Sequence, residues 1–346
     1  MKQHLYLGSY TESAETGGIH YAILNTETGE LCYLACVAHL ENPTYLAVNR
    51  ARNRLYSFQE VSQAAGAMVC AFRINPDKTL TLLNELPVPG DGPCHLSLDV
   101  TEHWLFVSNY GSGSLVVYRL DREHALQECA QVIQHQGKGS HPNQDVAHTH
   151  CAVTNPNGTQ LWVAELGANA VLCYDFNPAA KTPLTLQRHY PAEDGAGPRH
   201  LVFHPDGEQL FVINELDSSL THYRYHGSEL TRIAIHPTLP QGYQGDNSCA
   251  AIKLSPCGQY VLASNRGHDS IVVFRLSEQQ LAYQTHLPAG GKTPRDFSFD
   301  SSGAWLIIAH QDSSSLCTYK FNRKAGQFMQ TYNTLSVEQP VCVTPL

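Results

Sequence analysis

The chain is 346 residues long, carries a formal charge of −9 and is only 15% charged. That balance argues against sequence-independent nucleic-acid binding, which needs a basic face to neutralise phosphates. No apolar run reaches the length of a signal-peptide core or a membrane helix, so neither membrane association nor export is expected, and the location implied is cytoplasmic.

A β-rich run, Leu5-Tyr-Leu-Gly-Ser-Tyr10, opens the chain. Pro43-Thr-Tyr-Leu-Ala-Val then leads to Leu55-Tyr-Ser-Phe-Gln-Glu60, and Pro93-Cys-His-Leu-Ser-Leu to Leu105-Phe-Val-Ser-Asn-Tyr110. His148-Thr-His-Cys-Ala-Val passes through Asn155-Pro-Asn-Gly158 to Leu161-Trp-Val-Ala-Glu-Leu166. The clearest copy is Gly197-Pro-Arg-His-Leu-Val-Phe, His204-Pro-Asp-Gly207, then Leu210-Phe-Val-Ile-Asn-Glu-Leu216. Its alternating and β-branched runs read as two strands joined by a tight turn. In an antiparallel hairpin the first residue of one strand and the last of the next share an end, so Arg199 and Glu215 are expected together. Ser248–Leu254 with Ser255-Pro-Cys-Gly258 and Val261–Arg266 follows, then Pro294–Phe299 with Leu306–Gln311, and Pro340-Val-Cys-Val closes the chain.

A period of roughly 50 residues with about four short strand-like runs per unit is that of a β-propeller blade. The count gives seven blades. The opening phrase of the last copy ends the chain while its answering strand begins it, so one blade is expected to join the two termini and leave no free sheet edge. The expected fold is all-β, a seven-bladed propeller of four-stranded antiparallel blades, with residues 1–346 as one domain.

Eleven cysteines are an odd number, and most fall inside strand runs, so no disulfide framework is expected. Cys32 and Cys36 are the one close pair and have nothing at metal-ligand spacing beside them. No metal and no cofactor is implied. Of the 19 histidines, His103, His189, His222 and His226 read as surface or packing residues.

Aligning the blades on their turns puts Thr44, Cys94, His150, Arg199, Ala250, Arg295 and Val341 at one position opening the innermost strand. The far ends of the second strands align Tyr10, Glu60, Tyr110, Leu166, Glu215, Arg266 and Gln311, and the residues before them Ser9, Gln59, Asn109, Glu165, Asn214, Asn265 and His310. The flanking apolar positions stay apolar while these vary, a pattern of one repeated scaffold and one assembled site at the mouth of a central channel. Arg199, Arg266 and Arg295 carry planar forks suited to phosphate or carboxylate. His148 and His150 supply imidazoles, the side-chain type suited to acid–base work at neutral pH, and Glu215 can orient an imidazole or hold an arginine. The guest these residues suit is a small anion.

Gly197-Pro-Arg-His-Leu with Asn214-Glu215-Leu, His148-Thr-His150 before Asn-Pro-Asn-Gly, Ser264-Asn-Arg-Gly267, and Thr293-Pro-Arg-Asp-Phe with Ala309-His-Gln resemble the seven-bladed lactonase family. That family includes propeller-type 6-phosphogluconolactonases and carboxy-muconate lactonizing enzymes, and the likeness spans essentially the whole chain. The resemblance implies a cytosolic, metal-independent enzyme acting on a small anionic sugar lactone, foremost 6-phosphogluconolactone of the pentose phosphate pathway. The family's histidine, glutamate and arginines would correspond to the His148/His150 pair, Glu215, Arg199 and Arg266. Where the family often has His-Pro-His, this chain has His148-Thr149-His150, and the register with Arg199 favours His150 as base.

The expected catalytic set is therefore His150, Glu215, Arg199 and Arg266. The expected substrate-binding set is His148, Arg295, Gln311, Asn109, Tyr110, Glu60, His200 and Asn265. Another lactonase, a muconate-type cycloisomerase on the same cleft, or a non-catalytic binding platform are the competing readings. Oligomeric state is not legible.

Overall fold

Each tight turn expected between a blade's first and second strands forms, and most are built on one acceptor side chain. Asn155 Oδ1 accepts the amides of Thr159 and Gln160 at 3.0 Å each. Asp99 and Asp300 do the same for His103 and Trp104 and for Ala304 and Trp305, at 2.8–2.9 Å. This Asx geometry closes the hairpin from within four residues of sequence. The fourth turn residue is left-handed, as at Gly158 (φ 71°) and Gly207 (φ 74°).

The computed structural model describes residues 1–11, 17–227 and 229–346, apart from the side chain of Tyr332. Among the described residues, twenty-eight strands form seven four-stranded sheets. The fold is all-β, a seven-bladed propeller with antiparallel blades. In chain order, blade 1 holds Ala47–Val48, Arg54–Phe58, Met68–Ile74 and Leu80–Pro87. Blade 2 holds Pro93–Leu98, Trp104–Asn109, Ser114–Leu120 and Leu126–Gln134, and blade 3 holds Thr149–Thr154, Gln160–Glu165, Ala170–Phe176 and Leu184–Pro191. Blade 4 holds Pro198–Phe203, Gln209–Asn214, Ser219–His226 and Glu229–Pro237. Blade 5 holds Ser248–Leu254, Tyr260–Arg266, Ser270–Ser277 and Gln280–Pro288, and blade 6 holds Pro294–Phe299, Trp305–His310, Ser315–Asn322 and Gln327–Ser336. Blade 7 takes Pro340–Pro345 from the C-terminus and Lys2–Ser9, Gly18–Asn25 and Leu31–His39 from the N-terminus. Leu5 pairs with Pro345 and Gly8 with Cys342, so the split copy expected from the sequence is one sheet.

The chain divides into two compact units, Ala47–Pro237 with blades 1 to 4, and Met1–Leu46 with Thr238–Leu346, which holds blades 5 to 7. Within the first unit, side chains of adjacent blades interdigitate: Trp104, Phe106, Leu115 and Val117 of blade 2 pack on Leu161, Val163, Leu172 and Phe176 of blade 3. Trp162, Cys173 and Ala164 of blade 3 pack in turn on Leu210, Val212, Tyr223 and Tyr225 of blade 4. Within the second unit, Leu262, Ile271 and Val273 of blade 5 meet Phe297, Leu306 and Tyr319 of blade 6, and Trp305 and Ile307 meet Leu5, Leu7 and Ala22 of blade 7. Sheet faces buried on both sides explain why the middle strands read as nearly continuous apolar runs. The expected packing role of His222 holds: it is fully buried against Phe211, with Nε2 at 3.0 Å from Gln209 Oε1.

Edge strands are blunted by bulges. The third and fourth strands slip register at Ala71/Phe72, Val117/Tyr118, Cys173/Tyr174, His222/Tyr223 and Val273/Phe274. Such a bulge twists an exposed strand away from pairing with another chain. The one helix among the described residues is the three-residue 3-10 turn Gln63–Ala65, and no helix is long and apolar enough to cross a membrane.

Candidate active site

The position aligned at the start of the first strands is a β-bulge. The register slips between Pro93 and His95, Thr149 and Cys151, Pro198 and His200, and Pro294 and Asp296. Cys94, His150, Arg199 and Arg295 are thus the extra residues, each turned out of the alternation of its strand. Beside each bulge, the residue aligned after the second strand donates its amide to the carbonyl two residues before the bulge. These bonds are Tyr110 to Gly92 (2.8 Å), Leu166 to His148 (3.0 Å), Glu215 to Gly197 (2.7 Å) and Gln311 to Thr293 (3.0 Å). The two aligned positions therefore meet at one end of each blade.

In the unit of blades 1 to 4 these side chains form a continuous cluster. Arg199 Nε lies 2.8 Å from Glu215 Oε2, with the arginine side chain only 3% exposed. Its Nη1 is 3.3 Å from His200 Nε2. The His200 ring stands edge-on to His150 at 5.1 Å and to His95 at 5.3 Å. Tyr110 lies edge-on to His150 at 5.8 Å and stacks flat on His148 at 4.4 Å. His148 Nδ1 donates to the Tyr110 carbonyl at 2.8 Å, and Nε2 faces Asp145 Oδ1 at 3.3 Å. Cys94 Sγ sits 3.8 Å from His150 Nδ1 and donates to the His150 carbonyl at 3.4 Å. A buried guanidinium, a carboxylate that holds it and a run of imidazoles is equipment for proton transfer next to a fixed positive charge. Of the two roles open to Glu215, the 2.8 Å bond supports holding the arginine.

In the other unit, Arg295 reaches Tyr10 OH through Nη2 at 3.0 Å and Gln311 Oε1 through Nη1 at 3.4 Å, with its guanidinium over the Tyr10 ring. Arg266 donates through Nη2 to the Cys249 carbonyl at 2.9 Å and lies along the start of its own blade. Glu60 is half-buried after the second strand of blade 1.

Two expected substrate contacts need correcting. Asn109 and Asn265 are fully buried and brace their blades from inside. Asn109 Nδ2 bonds Ser114 Oγ at 3.0 Å, and Asn265 Nδ2 bonds the Thr238 carbonyl at 2.8 Å and Ser270 Oγ at 3.3 Å. A buried amide spends its bonds where water is excluded, so a polar residue at a strand end is a strut as readily as a ligand. His95 went unnoticed in the sequence reading. Its signal was present in Pro93-Cys-His95, which parallels Pro198-Arg-His200 residue for residue. Glu165 is fully buried, and burial pushes its carboxyl up to about 7 against the opposing pull of the Ala168 amide and of nearby His148. Burial likewise lowers His135 to about 4, with Nδ1 on Thr149 Oγ1 at 2.6 Å and Nε2 on Tyr174 OH at 2.8 Å.

A seven-bladed propeller that gathers imidazoles, an ion-paired arginine and a carboxylate at the bulged ends of its strands has the architecture of a small-molecule enzyme. Residues 4–345 match the family model described as "Lactonase, 7-bladed beta-propeller", and the chain belongs to that family. It is 31% identical to the 6-phosphogluconolactonase of Bacillus subtilis (strain 168), covering 98% of this chain and 97% of that protein. The solved structure of the Pseudomonas aeruginosa periplasmic gluconolactonase superposes with a TM-score of 0.95 at 27% identity, covering 100% of this chain and 99% of that one. A protein from Lactobacillus plantarum superposes with a TM-score of 0.93 at 30% identity and complete coverage of both chains.

Proposed function

We propose that the protein hydrolyses a sugar lactone, with 6-phosphogluconolactone the foremost substrate and the cytoplasm, where sugar phosphates are handled, its place of work. The observation that carries the reading is the buried Arg199–Glu215 pair at 2.8 Å, set beside the His200 and His150 rings. In this scheme His150 takes a proton from water as the water oxygen attacks the lactone carbonyl carbon. The carbonyl oxygen becomes an oxyanion in the field of Arg199, whose position Glu215 fixes. Collapse of the tetrahedral adduct breaks the ring C–O bond, and the imidazolium returns the proton to the leaving alkoxide, giving an open-chain hydroxy acid. General-base assistance of this kind is worth roughly 10²–10⁴-fold, and loss of an oxyanion donor costs about 3–4 kcal/mol.

His148 and Tyr110 offer a flat wall for the sugar ring, with His200 beside the arginine. On the alignment of the blades we assign Arg266, Arg295 and Gln311 to the substrate's anionic group, and Glu60 to a sugar hydroxyl. An unphosphorylated gluconolactone is the second reading. It is favoured by the commitment of Arg199 to Glu215, which takes one guanidinium out of the set available for phosphate.

The test is a panel of 6-phosphogluconolactone, glucono-1,5-lactone and a muconolactone, assayed above spontaneous hydrolysis and with and without EDTA. Expected are turnover of the phosphorylated lactone, indifference to chelator, a His150→Ala loss in kcat exceeding its change in KM, and an Arg295→Ala effect mainly on KM. Equal effects of the two substitutions would remove the assignment, and no turnover of any lactone would favour a binding platform instead.

A further inference from the structure

In blades 2, 4, 5 and 6 a residue at the end of the second strand braces the blade in a recurring way. Asn109, Asn214, Asn265 and His310 each bond the serine that opens the neighbouring third strand, Ser114, Ser219, Ser270 and Ser315. Blade 3 breaks the pattern twice. Its brace position is Glu165, and the residue paired with it is Ala170, which has no hydroxyl to offer. Blade 3 is also the blade that carries His148 and His150.

The Glu165 carboxylate turns instead to a main-chain amide. Oε2 accepts from the amide of Ala168, which closes the turn 165–168. The carbonyl of His148 is held from the same turn by the Leu166 amide at 3.0 Å. Gly167 lets the two segments touch, because a Cβ there would stand 1.9 Å from the Val146 carbonyl oxygen and 2.6 Å from the His148 nitrogen. Gln144 adds a bond to the Leu166 carbonyl at 2.7 Å. The main chain at His148 is thus bonded at its carbonyl and closely approached at its nitrogen by the turn that begins at Glu165, two residues before the bulge at His150.

We propose that Glu165 is a positioning residue: its buried carboxylate closes the turn that clamps the main chain at His148, fixing the His148 ring on Tyr110 and the imidazole of His150 at its bulge. The proposal rests on the lactonase reading above. Glu165 itself is sealed from the cleft and touches no substrate. The titratable groups around it are His148 on the clamped segment with Asp145 beyond it, Tyr174 from the third strand, and His135 from the end of blade 2, which bonds Tyr174 and Thr149.

Two variants separate positioning from simple bracing. Glu165→Gln keeps the shape but removes the charge that holds the Ala168 amide. The double variant Glu165→Asn with Ala170→Ser rebuilds the brace of blades 2, 4 and 5 and removes the clamp. For each, kcat and KM on the turned-over lactone are measured together with thermal unfolding and the imidazole 15N signals of His148. Expected is a kcat lower by about 10- to 100-fold with KM within about two-fold. The double variant should unfold no earlier than wild type, and His148 should leave the single Nδ1–H tautomer that its bond to the Tyr110 carbonyl imposes. A folded double variant with kcat within about two-fold of wild type, or with unchanged His148 signals, overturns the proposal. His150→Ala is the control: if it retains full activity, the catalytic reading has failed, and the His148 signals alone then decide whether the clamp exists.

Discussion

Arg199 and Glu215 illustrate how little separates a structural ion pair from a catalytic one. The guanidinium is nearly sealed, and the carboxylate is 17% exposed. Removing one partner of such a pair strands a buried charge, so Glu215→Ala is expected to cost about 3–5 kcal/mol in urea unfolding as well as activity. A loss below about 1 kcal/mol would mean that Arg199 finds another acceptor. Glu165 makes the opposite case, a carboxyl whose burial is not compensated by a cation. Its pKa is raised from 4.5 to about 7, so the folded state holds this proton more tightly than the unfolded state. The resulting stabilisation is fully present below the unfolded value and is lost as pH rises through about 7, up to about 3 kcal/mol in all. Stability of wild type relative to Glu165→Gln should therefore fall between pH 5 and pH 8, and parallel stability–pH curves would contradict that. Arg199 and Glu215 were legible as a pair because a hairpin brings its ends together. Asn109 and Asn265 were misread because nothing in the sequence separates an amide facing solvent from one facing a serine hydroxyl inside the sheet.

At the scale of the element, turns were readable and bulges were not. Asn155-Pro-Asn-Gly158 states its own conformation: an acceptor side chain, a fixed φ and a left-handed glycine within four residues. Gly158 carries a second constraint, since a Cβ there would lie 2.1 Å from Val100 Cγ2, whereas nothing approaches within 4 Å at Gly207. Gly207→Ala should cost only the left-handed penalty, about 1–2 kcal/mol. Gly158→Ala should cost measurably more in the same unfolding assay, and equal costs would show that Val100 yields freely. The bulges leave no such mark. The extra residue between Pro198 and His200 fits an alternating pattern as well as a regular ladder does, and only pairing with Asn214 and Ile213 reveals it. That slip aims Arg199, as its counterpart aims His150.

Over the whole molecule the first and last strands pair across nearly the full chain, the most non-local contact in the fold. Such contacts repay their loop-closure entropy late, so slow folding and exposed strand edges on the way are expected. Deleting 340–346 would leave Lys2–Ser9 paired with Gly18–Asn25 alone, uncovering the strand edge that carries Leu5, Tyr6 and Leu7, which are fully buried. The truncated protein should associate on light scattering at concentrations where the full chain does not. A monodisperse truncated protein with wild-type unfolding would show that closure of blade 7 is dispensable.

The sequence by itself determined the strand runs, the turns, the count of blades and the split of one blade between the termini, because alternation and turn chemistry act over a few residues and repeat. Tertiary structure alone decided which polar side chains became braces and which became a site. Cys94 meets His150 across adjacent blades, His95 of blade 2 meets His200 of blade 4, and Glu165 bonds Ala168 across the turn that holds His148. Those partnerships depend on bulges, on burial and on neighbours far along the chain, and no local pattern encodes them.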